Sequence, residues 1–205
     1  LGMTGQPPLD IDLTRAAPGM LVTDIVYTPL ITPLLEQAEA QVFLRQDDAK
    51  LAESYLQVTE HYLRMYSELI GPYPYPKFAL VENFWETGYG MPSFTLLGSR
   101  VLRLPFILHS SYPHEILHNW WGNSVYVDYR EGNWSEGLTS YLADHLLKEQ
   151  RGQGINHRRS ALQRYANFVR EQNDFALQDF RARHSTSSQA VGYDKSLMMF
   201  HMLRR

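Results

Sequence analysis

The sequence contains no cysteine. A disulfide framework and a thiolate metal centre are therefore excluded, and any zinc ion bound by this chain must be held by histidine and carboxylate. Long apolar runs are also missing. Stretches such as "FALV" and "LMMF" fall far short of the ~20 residues that a helix needs to cross a bilayer, so no membrane-spanning segment is expected. Neither sign of charge dominates, since 19 Lys and Arg against 22 Asp and Glu leave a net charge of -3 and an isoelectric point near 6.2. The basic cluster "HRRS" at 157–160 is too short to make an electrostatic footprint for nucleic acid, and no such partner is expected. Internal repeats and low-complexity tracts are absent as well, which removes solenoids and disordered arrays. The opening "LGMTGQPPLD" has no charged region followed by an apolar stretch, so it does not read as a signal peptide. What is present is 205 residues, 44% of them hydrophobic, enough to bury the core of one domain.

Along the chain, residues 1–20 are rich in proline and glycine and read as loop, and "LVTDIVYTP" (21–29) has the β-branched content of a strand. Asp47 or Asp48 caps a helix whose apolar positions recur at Leu51, Tyr55, Val58, Tyr62, Met65 and Leu69, ended by Gly71 and Pro72. "KFALV" (77–81) suits a buried strand and "SFTLLGSRVLRLP" (93–105) one or two more around Gly98, with a glycine-bearing loop between them. After Pro105 the pattern turns helical. Helices are expected over a histidine-bearing segment ended by Gly122, over about 134–150 and 158–172, and from near Tyr193. A strand-rich first lobe followed by a helical lobe is an α+β arrangement. The chain ends at "HMLRR", part way along an amphipathic pattern, so a fragment of a longer protein with further domains is expected.

The stretch "HEILHNWWGN" (114–123) places His114 and His118 four apart with Glu115 after the first. On a helix, residues four apart lie on one face, so both imidazoles can converge on one ion. Glu115 sits about 100° round the helix, where it can reach water beside that ion without ligating it. Chance would place this pattern roughly 0.02 times in a chain of this composition, which favours a metal site over two core histidines. A catalytic zinc also needs a third protein ligand, and "NWSEGLTSYLADHLLK" offers Glu136 on a helix face shared with the small residues Ser140 and Ala143. Trp120 and Trp121 read as core aromatics beside the histidines.

These segments resemble a known family. "HEILHNWWGN" followed by "NWSEG", together with "YPYPKFALV" (73–81) and "GYDKSLMMFHML" (192–203), are similar to four collinear motifs of the aminopeptidase N-like gluzincins, zinc metallopeptidases with a thermolysin-like catalytic domain. The resemblance implies an N-terminal strand and loop segment over 1–46, a catalytic domain over 47–205 and a peptide or protein substrate. It also implies one zinc ion per chain on His114, His118 and Glu136, with Glu115 as general base and Tyr193 as donor to the oxyanion.

Three departures stand out. Seventeen residues separate His118 from Glu136, one fewer than in the family; Ser196 stands where its motif has glycine; and "GYGMPSF" (88–94) lacks the Glu-Asn that follows methionine in the family's amine-binding loop. The candidate substrate-binding residues are therefore Gly88, Gly90 and Met91, whose backbone could pair with an extended peptide, and Glu82, a carboxylate that could replace the missing glutamate. An endopeptidase, a hydrolase of a small substrate and a zinc-binding scaffold without turnover are the alternatives.

Overall fold

The computed structural model describes residues 40–205, and the loop and strand expected over 1–29 lie outside the described residues. Two compact units divide the chain, one ending at Leu108 and one running from His109 to Arg205. A mixed sheet characterises the first and helices fill the second, which is the α+β division that the sequence pattern suggests.

In the first unit, β1 (Ala40–Phe43) runs parallel to β2 (Phe78–Asn83), across the expected division at 46/47. Strand β2 is also parallel to β4 (Phe94–Gly98), which pairs antiparallel with the edge strand β3 (Gly88–Met91), giving the order β1-β2-β4-β3. Phe78, Ala79 and Leu80 are buried in succession, as a parallel strand covered on both faces requires. The glycine-bearing loop is thus a strand, because its backbone finds ladder partners from Gly88 opposite Leu97 to Met91 opposite Phe94. Its turn is Pro92 and Ser93, and Ser93 adopts φ +67°, a left-handed conformation that L-residues avoid. Beyond Gly98 a second strand does not form, and Val101–Arg103 makes a 3-10 turn instead.

Helix α1 (Ala49–Leu69) begins where Asp48 accepts a hydrogen bond from the Leu51 amide at 3.0 Å. Its buried stripe is Tyr55, Thr59, Tyr62 and Tyr66, which keeps the expected Tyr55 and Tyr62 but takes Thr59 and Tyr66 in place of Val58 and Met65, and Leu69 is 53% exposed. Tyr55 and Tyr62 can be buried because their hydroxyls find partners there. Tyr55 donates to the Leu102 carbonyl at 2.7 Å and Tyr62 to that of Leu108 at 2.9 Å.

The second unit opens with the short helix α2 (Ser111–Leu117). Helix α3 (Trp134–Thr139) passes through a π-helical turn, Ser140–His145, into α4 (Leu146–Gln150). Next comes α5 (Gly154–Phe168), which starts and ends four residues before the expected span. The last run is α6 (Thr186–Gln189), a second π-helical turn over Ala190–Lys195, and α7 (Ser196–Arg204). It begins well before Tyr193 because Ser185 and Ser188 form a capping box. Helices α3 and α7 pack closely at Gly137, where a Cβ atom would overlap the Ser196 side chain.

Candidate metal centre

Helix α2 ends one residue before His118, which keeps right-handed helical backbone at φ -59° and ψ -13°. The four-residue relation to His114 therefore survives although the helix stops earlier than Gly122. The two imidazole centroids lie 5.1 Å apart with their planes at 71°. Residues 119–121 leave the helix in tight turns, Trp120 and Trp121 are buried, and the Trp121 indole donates to Thr139 Oγ1 at 2.8 Å. Both tryptophans belong to the core.

Glu136 enters from the first turn of α3. Its Oε2 lies 3.3 Å from His114 Nε2 and 3.6 Å from His118 Nε2, and the ligand atoms of His114, His118 and Glu136 all fall within 4.8 Å of one another. Zinc bonds of 2.0–2.2 Å in tetrahedral geometry set neighbouring ligand atoms about 3.3 Å apart. The three side chains therefore fit a zinc ion, and nitrogen and oxygen donors suit that metal. The histidines are 12% exposed at their side chains and Glu136 22%, so the cluster is largely but not fully buried.

The outer nitrogens are occupied as well. His114 Nδ1 is 3.1 Å from Asp144 Oδ2, and His118 Nδ1 is 3.4 Å from the Trp121 carbonyl. A ligating histidine is oriented in this way by an acceptor behind it, which fixes both tautomer and ring plane. Asp144 was not foreseen in the sequence because it follows Glu136 by eight residues, which on an unbroken α-helix leaves it about 80° round the axis. The π-helical turn accommodates one extra residue and cuts that angle to about 20°. Both carboxylates thus reach the same imidazole, one at each nitrogen.

Charge follows the geometry. Burial alone would lower the His114 pKa, but Asp144 and Glu136 hold it well above the ordinary imidazole range. Burial would raise Glu136, yet hydrogen bonds with His114 and His118 keep its carboxyl far below the usual range. Burial and the Glu136 carboxylate push the Tyr193 hydroxyl above the ordinary phenol range. The Tyr193 ring stacks against His114 at 6.3 Å and meets Phe180 edge-on at 5.9 Å. Glu115 lies close enough for its charge to act on both His114 and Tyr193. The second unit therefore gathers all five residues singled out in its part of the sequence.

Glu82 of the first unit has different company. It is buried, with Oε1 2.6 Å from Arg103 Nη1 and Oε2 accepting the Arg45 amide at 2.7 Å. Burial opposes its ionisation, but these hydrogen bonds hold its pKa below the usual range. That is the bonding of a structural carboxylate, and the amine-anchoring role is not carried forward. Gly88, Gly90 and Met91 occupy the edge strand.

Comparison with solved structures sets this arrangement in context. The chain matches an M1 zinc metallopeptidase from Deinococcus radiodurans with a TM-score of 0.56 at 23% identity, over 80% of this chain and 36% of that one. The described residues share its fold. Leukotriene A4 hydrolase from Saccharomyces cerevisiae matches at a TM-score of 0.54 and 17% identity, over 80% of this chain and 28% of that one. By sequence, shikimate dehydrogenase (NADP(+)) of Rhodospirillum rubrum is 70% identical over 40 residues, 20% of this chain and 14% of that protein. The corresponding protein of Acidiphilium cryptum is 66% identical over 41 residues, again 20% of this chain, and 15% of its own length. The chain thus spans about a third of the metallopeptidase and a seventh of the dehydrogenases. No family model matches it.

Proposed function

We propose that the chain carries the catalytic centre of a zinc-dependent peptidase, in which His114, His118 and Glu136 hold the metal, Glu115 is the general base and Tyr193 the oxyanion donor. The observation that carries the reading is the donor spacing, 3.3 and 3.6 Å around Glu136 Oε2, backed by an acceptor behind each histidine. A zinc ion at that point would acidify water and polarise a carbonyl. Glu115 takes a proton from the attacking water and returns it to the departing amine. The Tyr193 hydroxyl, whose pKa burial and the Glu136 carboxylate raise, donates to the oxygen on which charge develops. Asp144 holds the His114 ring with Nε2 turned inward.

The D. radiodurans enzyme has been solved bound to a Tyr-Ser-Ala substrate, which supports a peptide as the substrate class here. Exopeptidase specificity is a separate matter. "GYGMPSF" has no glutamate after Met91, and Glu82 and Glu86 are both engaged, Glu86 Oε2 by the Arg100 amide at 2.9 Å. The likeness to a leukotriene hydrolase keeps a small non-peptide substrate as the second reading. The dehydrogenase likeness adds no third, because a 40-residue segment is at the limit of what folds alone and is far short of a complete enzyme.

Zinc content and peptide cleavage test the proposal together. Glu115→Gln should keep about one zinc per chain and abolish turnover, whereas His118→Ala should lose the metal. A Glu115→Gln variant that still hydrolysed peptide would refute the assignment of the base. The same peptide supplied with a free and with an acetylated N-terminus separates stepwise removal from internal cleavage.

A further inference from the structure

Tyr193 sits within the second π-helical turn, and the residues around it are tied down on several sides. Asp194, 6% exposed, receives a two-pronged ion pair from Arg164 of α5, with Nε 2.9 Å from Oδ2 and Nη2 2.6 Å from Oδ1. Lys195 reaches Asp174 Oδ1 at 3.0 Å and the Phe175 carbonyl at 3.1 Å. On the other side, Gly192 lies so close to the Phe180 ring that a Cβ atom would overlap it.

A buried carboxylate is costly unless it is paired, and an apolar residue could fill the position of Asp194 without that cost. What the forked pair adds is direction, because a guanidinium fork accepts a carboxylate in one plane. Direction matters here for a specific reason. A π-helical turn contains one residue more than an α-helical turn, and moving the extra residue by one position would rotate a side chain about 100° round the axis. Such a shift would carry the Tyr193 hydroxyl away from Glu136.

We propose that Arg164 is a positioning residue for Tyr193: by clamping Asp194 it fixes the register of this turn and so aims the tyrosine hydroxyl into the metal centre. The inference rests on the reading of Tyr193 as oxyanion donor.

The test uses the zinc-loaded full chain and a phosphinic dipeptide, whose tetrahedral oxyanion mimics the charge that Tyr193 would stabilise. Its Kd is measured by calorimetry for wild type, Tyr193→Phe, Arg164→Met and the double variant, with zinc content recorded for each. Tyr193→Phe should weaken binding about 10-fold or more, the worth of a hydrogen bond to a charged group. Arg164→Met should weaken it too, and the double variant should bind no worse than Tyr193→Phe alone. Arg164→Lys, which keeps the charge without the fork, should fall part way, and it carries the same comparison if the methionine variant fails to fold. Additive losses, or full affinity in the Arg164 variants, would overturn the clamp and leave the role of Tyr193 standing. Unchanged affinity in Tyr193→Phe, or no binding of the analogue by wild type, would overturn the oxyanion reading and the clamp with it.

Discussion

Replacing Gly137 by alanine puts a methyl group into the space held by Ser196. The added Cβ atom would overlap both Oγ and Cβ of that serine, while the next neighbour, the Gly192 carbonyl, stands at a comfortable 3.4 Å. Overpacking of this kind costs about 1–3 kcal/mol. Against it stands the gain of about 1 kcal/mol that alanine brings over glycine within a helix, so the single variant should lose up to about 2 kcal/mol. Ser196→Gly, which installs the residue that the resembled family carries at this position, removes both overlapping atoms. In that background Gly137→Ala should be neutral or stabilising by about 1 kcal/mol, a coupling of about 2 kcal/mol between the two positions. Urea unfolding of the four proteins measures this directly. The neighbour of Gly137 is Glu136, so zinc affinity should follow the same pattern, weakened in the single variant and restored in the double. Additivity within about 0.5 kcal/mol would show that the helices separate freely and that the close approach of α3 and α7 does not constrain the site.

Two further outcomes follow from groups around the centre. Asp144→Asn should weaken zinc binding about 10- to 100-fold, the usual consequence of removing the acceptor behind a ligating histidine, and competition with a chelator would measure it; unchanged affinity would make Asp144 a bystander. His145 is fully buried, its Nδ1 has no hydrogen-bond partner, and burial lowers its pKa from 6.5 to about 4. Between those values the unfolded chain binds more protons than the folded one, so stability falls as pH drops from 6.5 to 4, by about 3 kcal/mol for this group. Arg158, 2.6 Å from its Nε2, and His157 and His201 add to the depression, which Glu149 opposes. His145→Gln should flatten the acid limb of the stability profile by that amount, and an unchanged limb would assign it to other groups.

Much of the centre could be read from the sequence because its rule is local. Four-residue spacing brings His114 and His118 together wherever the backbone stays helical, and it does so here even though α2 ends at Leu117. Asp48 likewise marks the start of α1 through a contact only three residues long. What the local pattern leaves out depends on partners distant in the chain. Tyr55 and Tyr62 fall on the expected face of α1, and the carbonyls of Leu102 and Leu108 that receive their hydroxyls lie far along the sequence. Gly88 and Gly90 form a strand because β4 supplies the ladder. Glu82, the substitute proposed for the missing glutamate, is fixed instead by Arg103, twenty-one residues away. Asp144 escaped notice for another reason: eight residues leave it about 80° from Glu136 on an α-helix, and only the π-helical turn brings the two into line.

That turn makes helix winding a functional quantity. Residues 140–145 hold one amino acid more than an α-helical path would, and the π-helical turn absorbs it. Were the same residues wound as plain α-helix, every side chain after them would swing about 100° relative to Glu136, and Asp144 would leave His114 while keeping its identity. A sequence can therefore retain each residue named at this centre and still lose it, simply by winding one turn differently.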